Sequence, residues 1–321
     1  MDANILISNL TNPVLLFFLL GIVAAIVKSD LEIPASSSKF ISLYLLFSIG
    51  FRGGQELSHE EWNAEVGLSL LYAFLLALIV PFYVFFILKK KFNVYDAGAI
   101  ASAYGSVSAV TFISAASFLE ANEVTYGGHM VAAMALMEAP AIIVGVGLMR
   151  KFDPHQDKSH GFKSILHDSL TNGSVLMIVG SLIIGMVADS KQAEGIKPFT
   201  SDIFKGFLAV FLLEMGMVAA KRFKAFRNYG WFATVFAIVM PLFNGVLAVL
   251  LTSFGPMSEG NRLMLAVLAA SASYIAVPAA MRLAAPKADP GLYIPMALGV
   301  TFPFNISIGF PIYWLLIQYT Q

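Results

Sequence analysis

Long apolar blocks, separated by charged residues or by Pro and Gly, recur from one end of this chain to the other. Ten such runs can be marked: Ile7 to Val27, Phe40 to Gly50, Ala64 to Leu88, Ala97 to Leu119, Met130 to Met149, Val175 to Ala188, Phe204 to Ala219, Trp231 to Phe254, Leu263 to Met281 and Tyr293 to Tyr319. A helix needs about 20 residues to cross about 30 Å of hydrocarbon. Phe40 to Gly50 and Val175 to Ala188 fall short of that and must borrow polar flanks. The pattern predicts an all-α integral membrane protein of about ten transmembrane helices.

The longest polar stretch, Arg150 to Gly173, lies near the middle and reads as a cytoplasmic linker, 150–173, between a first five-helix half, 1–149, and a second, 174–321. The halves repeat. Thr11-Asn12 recurs as Thr171-Asn172, Ile49-Gly50-Phe51 as Met215-Gly216-Met217, Ser106-Val107-Ser108 as Ser271-Ala272-Ser273, and Met134-Ala135-Leu136 as Met296-Ala297-Leu298. These anchors keep their order, at offsets between 160 and 166, which is the signature of internal duplication. Five spans per half is an odd number, so the second half must cross in the opposite sense, giving a 5+5 inverted-topology repeat in one membrane domain.

Composition agrees with this reading and narrows it. The 321 residues are 58% hydrophobic and 12% charged, about half the charged share of a soluble domain. Net charge is zero and no nucleic-acid motif is present. Cysteine is absent, which excludes disulfides and thiolate chemistry. No basic n-region or small-x-small cleavage site marks the first run, so it is expected to remain as a helix. With ten spans, Arg52, Lys191, Lys197, Lys205 and Arg262 fall on the side of both termini, and the other fifteen of the twenty Lys and Arg fall opposite. The positive-inside rule then makes the fifteen-residue side cytoplasmic and turns both termini outward.

Two of the runs are too small-sided and too polar for ordinary spans. In Ala97 to Ser117, fifteen of twenty-one residues are Gly, Ala, Ser or Thr, and Leu268 to Arg282 reads LAASASYIAVPAAMR. Small residues permit close helix packing. They also suit helices broken at membrane depth, where freed N–H groups and half-helix ends meet a substrate. If both break at their serines, Ser106, Val107 and Ser108 face Ser271, Ala272 and Ser273 near the midplane. Hydroxyl and amide donors suit a small oxyanion, and hydroxyls with carbonyls suit Na⁺. Pro278 is expected to free an upstream carbonyl. Only two acidic residues lie deep in the spans, Glu138 and Glu214, and an intramembrane carboxylate is a functional candidate by default. Glu138, Thr111, Asn305 and Glu214 are the candidate ion ligands, with Na⁺ placed first at Glu138. Asn244 reads as an interhelical hydrogen bond, Arg52 and Arg282 as anchors at the membrane edge. His59, His129, His155, His160 and His167 fall in loops or at helix ends, and no hydrolase, P-loop, zincin or dinucleotide motif appears, so no enzyme is predicted.

The segments YGSVSAVTFISAASFLE, LMEAPAIIV, FLLEMGM and ASASYIAVPAAMRLAAPKADPGLYIPMALGVTFP resemble the sodium-dependent bicarbonate transporter family over nearly the whole chain. The resemblance implies a homotrimer of five-plus-five inverted repeats, in a bacterial-type inner membrane, in which two broken helices hold bicarbonate at the midplane with Na⁺ nearby as coupling ion. It also implies a cytosolic PII-like regulatory partner. Carried over by motif, the substrate positions are Ser106, Val107, Ser108, Ser271, Ala272 and Ser273, and Glu138 stands where the family has an aspartate. After the second serine the family continues with Gly and a small hydroxyl residue, whereas this chain has Ala109 and Val110. The expected function is a secondary transporter coupling Na⁺ influx to uptake of a small anion, bicarbonate first. A Na⁺- or H⁺-coupled carrier of another solute such as an organic acid, and a non-transporting receptor or regulated channel, are the rivals.

Overall fold

A computed structural model describes residues 13–153, 173–226 and 229–320. The first residues of the opening run, most of the central linker, and with it His155, His160 and His167, lie outside the described residues. The described chain is helical, with no strand among the described residues. Its helices are α1 Pro13–Ile26, α2 Ala35–His59, α3 Ala64–Leu88, α4 Val94–Gly105, α5 Ala109–Ala121, α6 His129–Phe152, α7 Gly173–Val187, the short α8 Ser190–Glu194, α9 Phe204–Phe226, α10 Trp231–Thr252, α11 Glu259–Ala270, α12 Ala276–Ala284 and α13 Pro290–Tyr319. Within α13, π-helical stretches cover Met296–Thr301 and Asn305–Gly309.

Among the described residues, six helical segments are long and apolar enough to cross a membrane: α3, α4 with α5, α6, Pro198–Lys221, α10 and α13. The protein is a multi-pass membrane protein. The other four predicted runs depart from that standard in different ways. α1 and α7 are apolar but short. Phe40 to Gly50 proves to be the middle of a 25-residue helix, α2, which begins after Pro34 and carries Lys39, Arg52 and Glu56 within its turns. Leu263 to Met281 is divided between α11 and α12.

The helices pack as two bundles. In one, α1 lies along α9 and α2 along α7, with α2 also touching α9. In the other, α3 packs on α4 and α6, α10 packs on α11 and α13, and α5 meets α11. Glycines set the close pairs of the first bundle. A Cβ on Gly21 would collide with the Leu213 carbonyl and one on Gly216 with the Phe18 carbonyl; Gly54 meets Leu182, and Gly185 meets Phe51, in the same way. Such small-residue contacts bring backbones together where lipid offers no hydrophobic drive for association.

Polar groups collect at the two ends. At one, Lys89 Nζ sits 3.5 Å from the Phe152 ring centroid, Lys287 Nζ donates to Tyr95 Oη at 3.2 Å, and the Asp289 N–H donates to Asp96 at 2.7 Å. At the other, the fully buried His129 links Glu60 (2.6 Å) to Ser69 (3.2 Å), and Glu65 accepts from Asn261 and the Ser258 N–H. Arg262, also buried at this end, donates to the Val249 and Ile317 carbonyls. Its charge therefore sits against the C-terminal ends of α10 and α13, where a cation is favoured.

Candidate substrate site

The chain leaves helical geometry twice in the bundle interior, at 106–108 and at 271–275. α4 stops at Gly105, which lies so close against Pro81 of α3 that a Cβ there would collide with the proline ring. Ser106 is extended, and α5 restarts at Ala109 with Ser108 as its N-cap, its Oγ accepting the Thr111 N–H at 3.2 Å. Serine is a strong N-cap because its oxygen satisfies an amide that has no partner within the helix. The second interruption is built alike. α11 stops at Ala270, Ser271 is extended, and the Val277 N–H of α12 donates to Ser273 Oγ at 3.3 Å. Pro278 differs from expectation: it lies in the first turn of α12, where its missing N–H leaves no intrahelical bond unmade.

The two interruptions are bonded to one another. The Ser108 N–H donates to Ser271 Oγ at 3.0 Å, and the Ser273 N–H donates to the Ala103 carbonyl at 2.8 Å. Ser271 Oγ in turn donates to the Leu268 carbonyl at 2.8 Å. The Ser271 hydroxyl is thus fully used in holding the break together. Ser108 and Ser273 are not: each Oγ accepts a helix N–H, which leaves its own proton free to donate. Ser106 Oγ is buried without a partner. The amides of Val107 and Ala272 have no backbone acceptor among the described residues.

A cavity of about 40 Å³ opens beside the breaks, lined by Val107, Ser108, Ala109 and Val110, by Ser273 to Ala276, and by Glu138 of α6. Ile113 of α5 and Met134 and Ala135 of α6 complete that side, and the facing wall comes from the other bundle: Ser42, Leu45 and Leu46 of α2, Ile178 of α7 and Phe211 of α9. A site for one water needs about 10–15 Å³ on this measure, so there is room for a few heavy atoms and none for a bulky solute. The first residues of α5 and α12 contribute to the lining, and their amides are among the donors a helix start cannot satisfy internally. Hydroxyl protons, free amides and two helix starts make a surface complementary to a small anion.

Of the residues singled out in the sequence, Val107, Ser108, Ser273 and Glu138 meet at this cavity, while Ser106, Ser271 and Ala272 pack behind it. Thr111, Asn305 and Glu214 are not in its lining. Asn305 donates from Nδ2 to the Ala270 carbonyl at 2.8 Å and accepts from Tyr313 Oη at 3.2 Å, tying off the end of α11. Glu214, on α9, lies beside Ser38 of α2. Asn244 accepts a hydrogen bond from Tyr83 between α10 and α3. No cluster of His, Asp and Glu able to hold a transition metal occurs among the described residues. Ser42, Ile178 and Phe211 had no sequence signal as site residues, because ordinary span composition surrounds each of them. Tyr274, whose buried hydroxyl lies beside Ser108 without a regular hydrogen bond, could have been found from its place in the serine block.

Comparison with known protein families matches residues 13–318 to the Na⁺-dependent bicarbonate transporter superfamily. Comparison with curated proteins gives no match.

Proposed function

Because this chain belongs to the Na⁺-dependent bicarbonate transporter superfamily, we propose that it is a secondary active transporter coupling Na⁺ influx to uptake of a small monovalent anion, bicarbonate first, at the serine-lined cavity. The observation that carries this reading is the cavity itself: the free donors of Ser108 and Ser273 and the starts of α5 and α12 converge there with one carboxylate, Glu138. The anion takes the donors. Na⁺ takes oxygen ligands, Glu138 first among them. With one Na⁺ per anion the charges cancel, and the membrane potential, worth about 2.3 kcal/mol per charge per 100 mV, no longer opposes anion uptake.

A 5+5 inverted repeat is supported by the glycine contacts. The contact of Gly21 with Leu213 becomes that of Gly185 with Phe51 on adding 164 to the first position and subtracting 162 from the second, and Gly216 with Phe18 becomes Gly54 with Leu182 likewise. These shifts fall within the 160 to 166 of the sequence anchors. The grouping of Lys89 and Lys287 at one end, and of Arg262 with the Glu60–His129 pair at the other, supports an orientation with the basic end in the cytoplasm. On this reading the protein sits in a bacterial-type inner membrane, as a homotrimer open to a PII-like regulator on its cytoplasmic side.

The test is uptake of labelled bicarbonate into proteoliposomes with Na⁺ and pH gradients imposed separately, against a panel of small anions. Concentrative, Na⁺-dependent bicarbonate uptake is expected. Uptake driven by ΔpH alone, without a Na⁺ effect, would replace this reading with a proton-coupled carrier, and binding without flux would replace it with a receptor.

A further inference from the structure

The central cavity has a larger neighbour of about 220 Å³ along the same helices. On α2 the neighbour begins at Ile49, one turn beyond Leu45 and Leu46; on α5 it begins at Ala116, one turn beyond Ile113; on α9 it is reached at Phe204, two turns before Phe211. Seven residues of helix are about 10 Å. Where the two linings approach, Ile113 walls the first cavity and Ile49 the second, and Leu208 sits on α9 in the stretch from Phe204 to Phe211; all three are apolar and buried. The rim is exposed at Glu56, Glu120, Thr125 and Lys205. The second cavity is thus a vestibule, separated from the candidate substrate site by a thin apolar layer.

Its charges are unequally paired. Lys205 Nζ bonds Glu120 Oε1 at 2.8 Å across the two bundles, which leaves that pair neutral. Arg52 forms no ion pair within 4 Å among the described residues. The nearest carboxylate on its own helix, Glu56 one turn on, lines the same cavity and feels the Arg52 charge, but it is exposed to solvent at the rim and leaves the guanidinium without a bonded partner. The Arg52 guanidinium stands 4.7 Å from the Phe204 ring centroid, and its Nε is buried without an acceptor. A buried donor left over in a native fold calls for an explanation, and a planar guanidinium stacked on a ring, with its edge unoccupied, is shaped to take a two-oxygen anion side-on.

We propose that this vestibule is a second anion-binding station in which Arg52 captures a small planar oxyanion before it passes the apolar layer to the central cavity. The site's chemistry stands without transport; its role as an access station rests on the function proposed above. Since the chain has no cysteine, Ser117→Cys and, separately, Thr125→Cys place a single reporter thiol on the vestibule wall. Purified protein in detergent is treated with an anionic sulfonate and a cationic trimethylammonium methanethiosulfonate reagent. Replacing Arg52 by Gln is expected to lower the anionic-to-cationic rate ratio on the order of 5- to 10-fold, as loss of one nearby, partly screened charge implies, and Arg52→Lys to restore it. Sodium formate or sodium bicarbonate should slow the anionic reagent relative to sodium chloride at equal ionic strength when Arg52 is present and not in Arg52→Gln. A ratio indifferent to Arg52 at both reporters, or no protection by either oxyanion, overturns the station. Protection by formate in a protein that shows no bicarbonate uptake keeps the station and removes the transport reading; bicarbonate uptake with an unchanged ratio does the reverse.

Discussion

Ser108, Ser273 and Ser271 hold their hydroxyls in different bonds, and substitution should separate them. Ser271→Ala strips the Ser108 N–H of its acceptor deep in the protein, which costs about 1–3 kcal/mol. Its main effect is expected in thermal stability. Ser108→Ala removes the N-cap of α5, worth about 0.5–2 kcal/mol, Ser273→Ala removes the acceptor of the Val277 N–H, and each also removes a free donor at the cavity. For these two the half-saturation for the anion should rise about tenfold, a change of about 1.4 kcal/mol in binding, in protein that still folds. Uptake and melting measured on all three variants check this; unchanged uptake in both cavity serines would take the substrate away from this cavity. Glu138→Gln keeps the side chain's shape and removes its charge, so the half-saturation for Na⁺ is expected to rise severalfold, and an unaltered Na⁺ titration would remove Glu138 from the ion site. The serines were legible in the sequence because a dense small-residue and hydroxyl stretch is anomalous in a span. Which hydroxyl is free was not legible, since that depends on bonds joining residues 163 apart. The same holds for Asn305, whose amide is engaged by the Ala270 carbonyl, 35 residues earlier.

At the scale of the element, long apolar runs translated directly into α3, α6 and α10, whose sides facing outward carry exposed apolar residues such as Phe74, Ile79, Phe82, Leu136, Val239 and Phe243. Apolarity alone marks only the middle of α2, Phe40 to Gly50, whereas the helix runs Ala35–His59. Its outer turns are polar, yet they are helical because Gly53 and Gly54 are packed against α6 and α7. Helix propensity alone would have disfavoured that glycine pair, and contact with a neighbouring helix is what no local pattern reveals. The reciprocal glycines carry a prediction of their own. Gly54→Val and Gly185→Val each push a side chain into a facing carbonyl, and overpacking of this kind costs about 1–3 kcal/mol or more. Both should lower the melting temperature and the yield of folded protein, whereas Gly180→Val, whose Cβ would meet nothing within 4 Å on the same helix, should not. Equal losses in all three would mean that α2 and α7 do not approach as closely as they do here.

For the whole molecule, the decisive arrangement is that both cavities are walled from two bundles: the central one by α5, α6 and α12 on one side and α2, α7 and α9 on the other, the vestibule by α5 on one side and α2 and α9 on the other. A ligand held between two bodies becomes accessible from one face or the other as those bodies shift, which is the physical basis of alternating access in repeat-built carriers. Glu120 of α5 and Lys205 of α9 form an ion pair across this seam, with both side chains more than half exposed. An exposed pair contributes at most about 1 kcal/mol, so it can open and close during turnover and its loss alone should matter little. Joining the two positions covalently should matter greatly. In the double variant Glu120→Cys and Lys205→Cys, in a chain with no other cysteine, a short bifunctional thiol reagent ties the bundles together at the vestibule. Uptake is expected to fall with the fraction cross-linked and to return on cleavage of a reducible linker, while each single variant treated with the same reagent keeps transporting. Full uptake by completely cross-linked protein would show that the two bundles do not move apart at this seam, and the substrate would then have to reach Ser108 and Ser273 by a channel-like opening within a rigid frame.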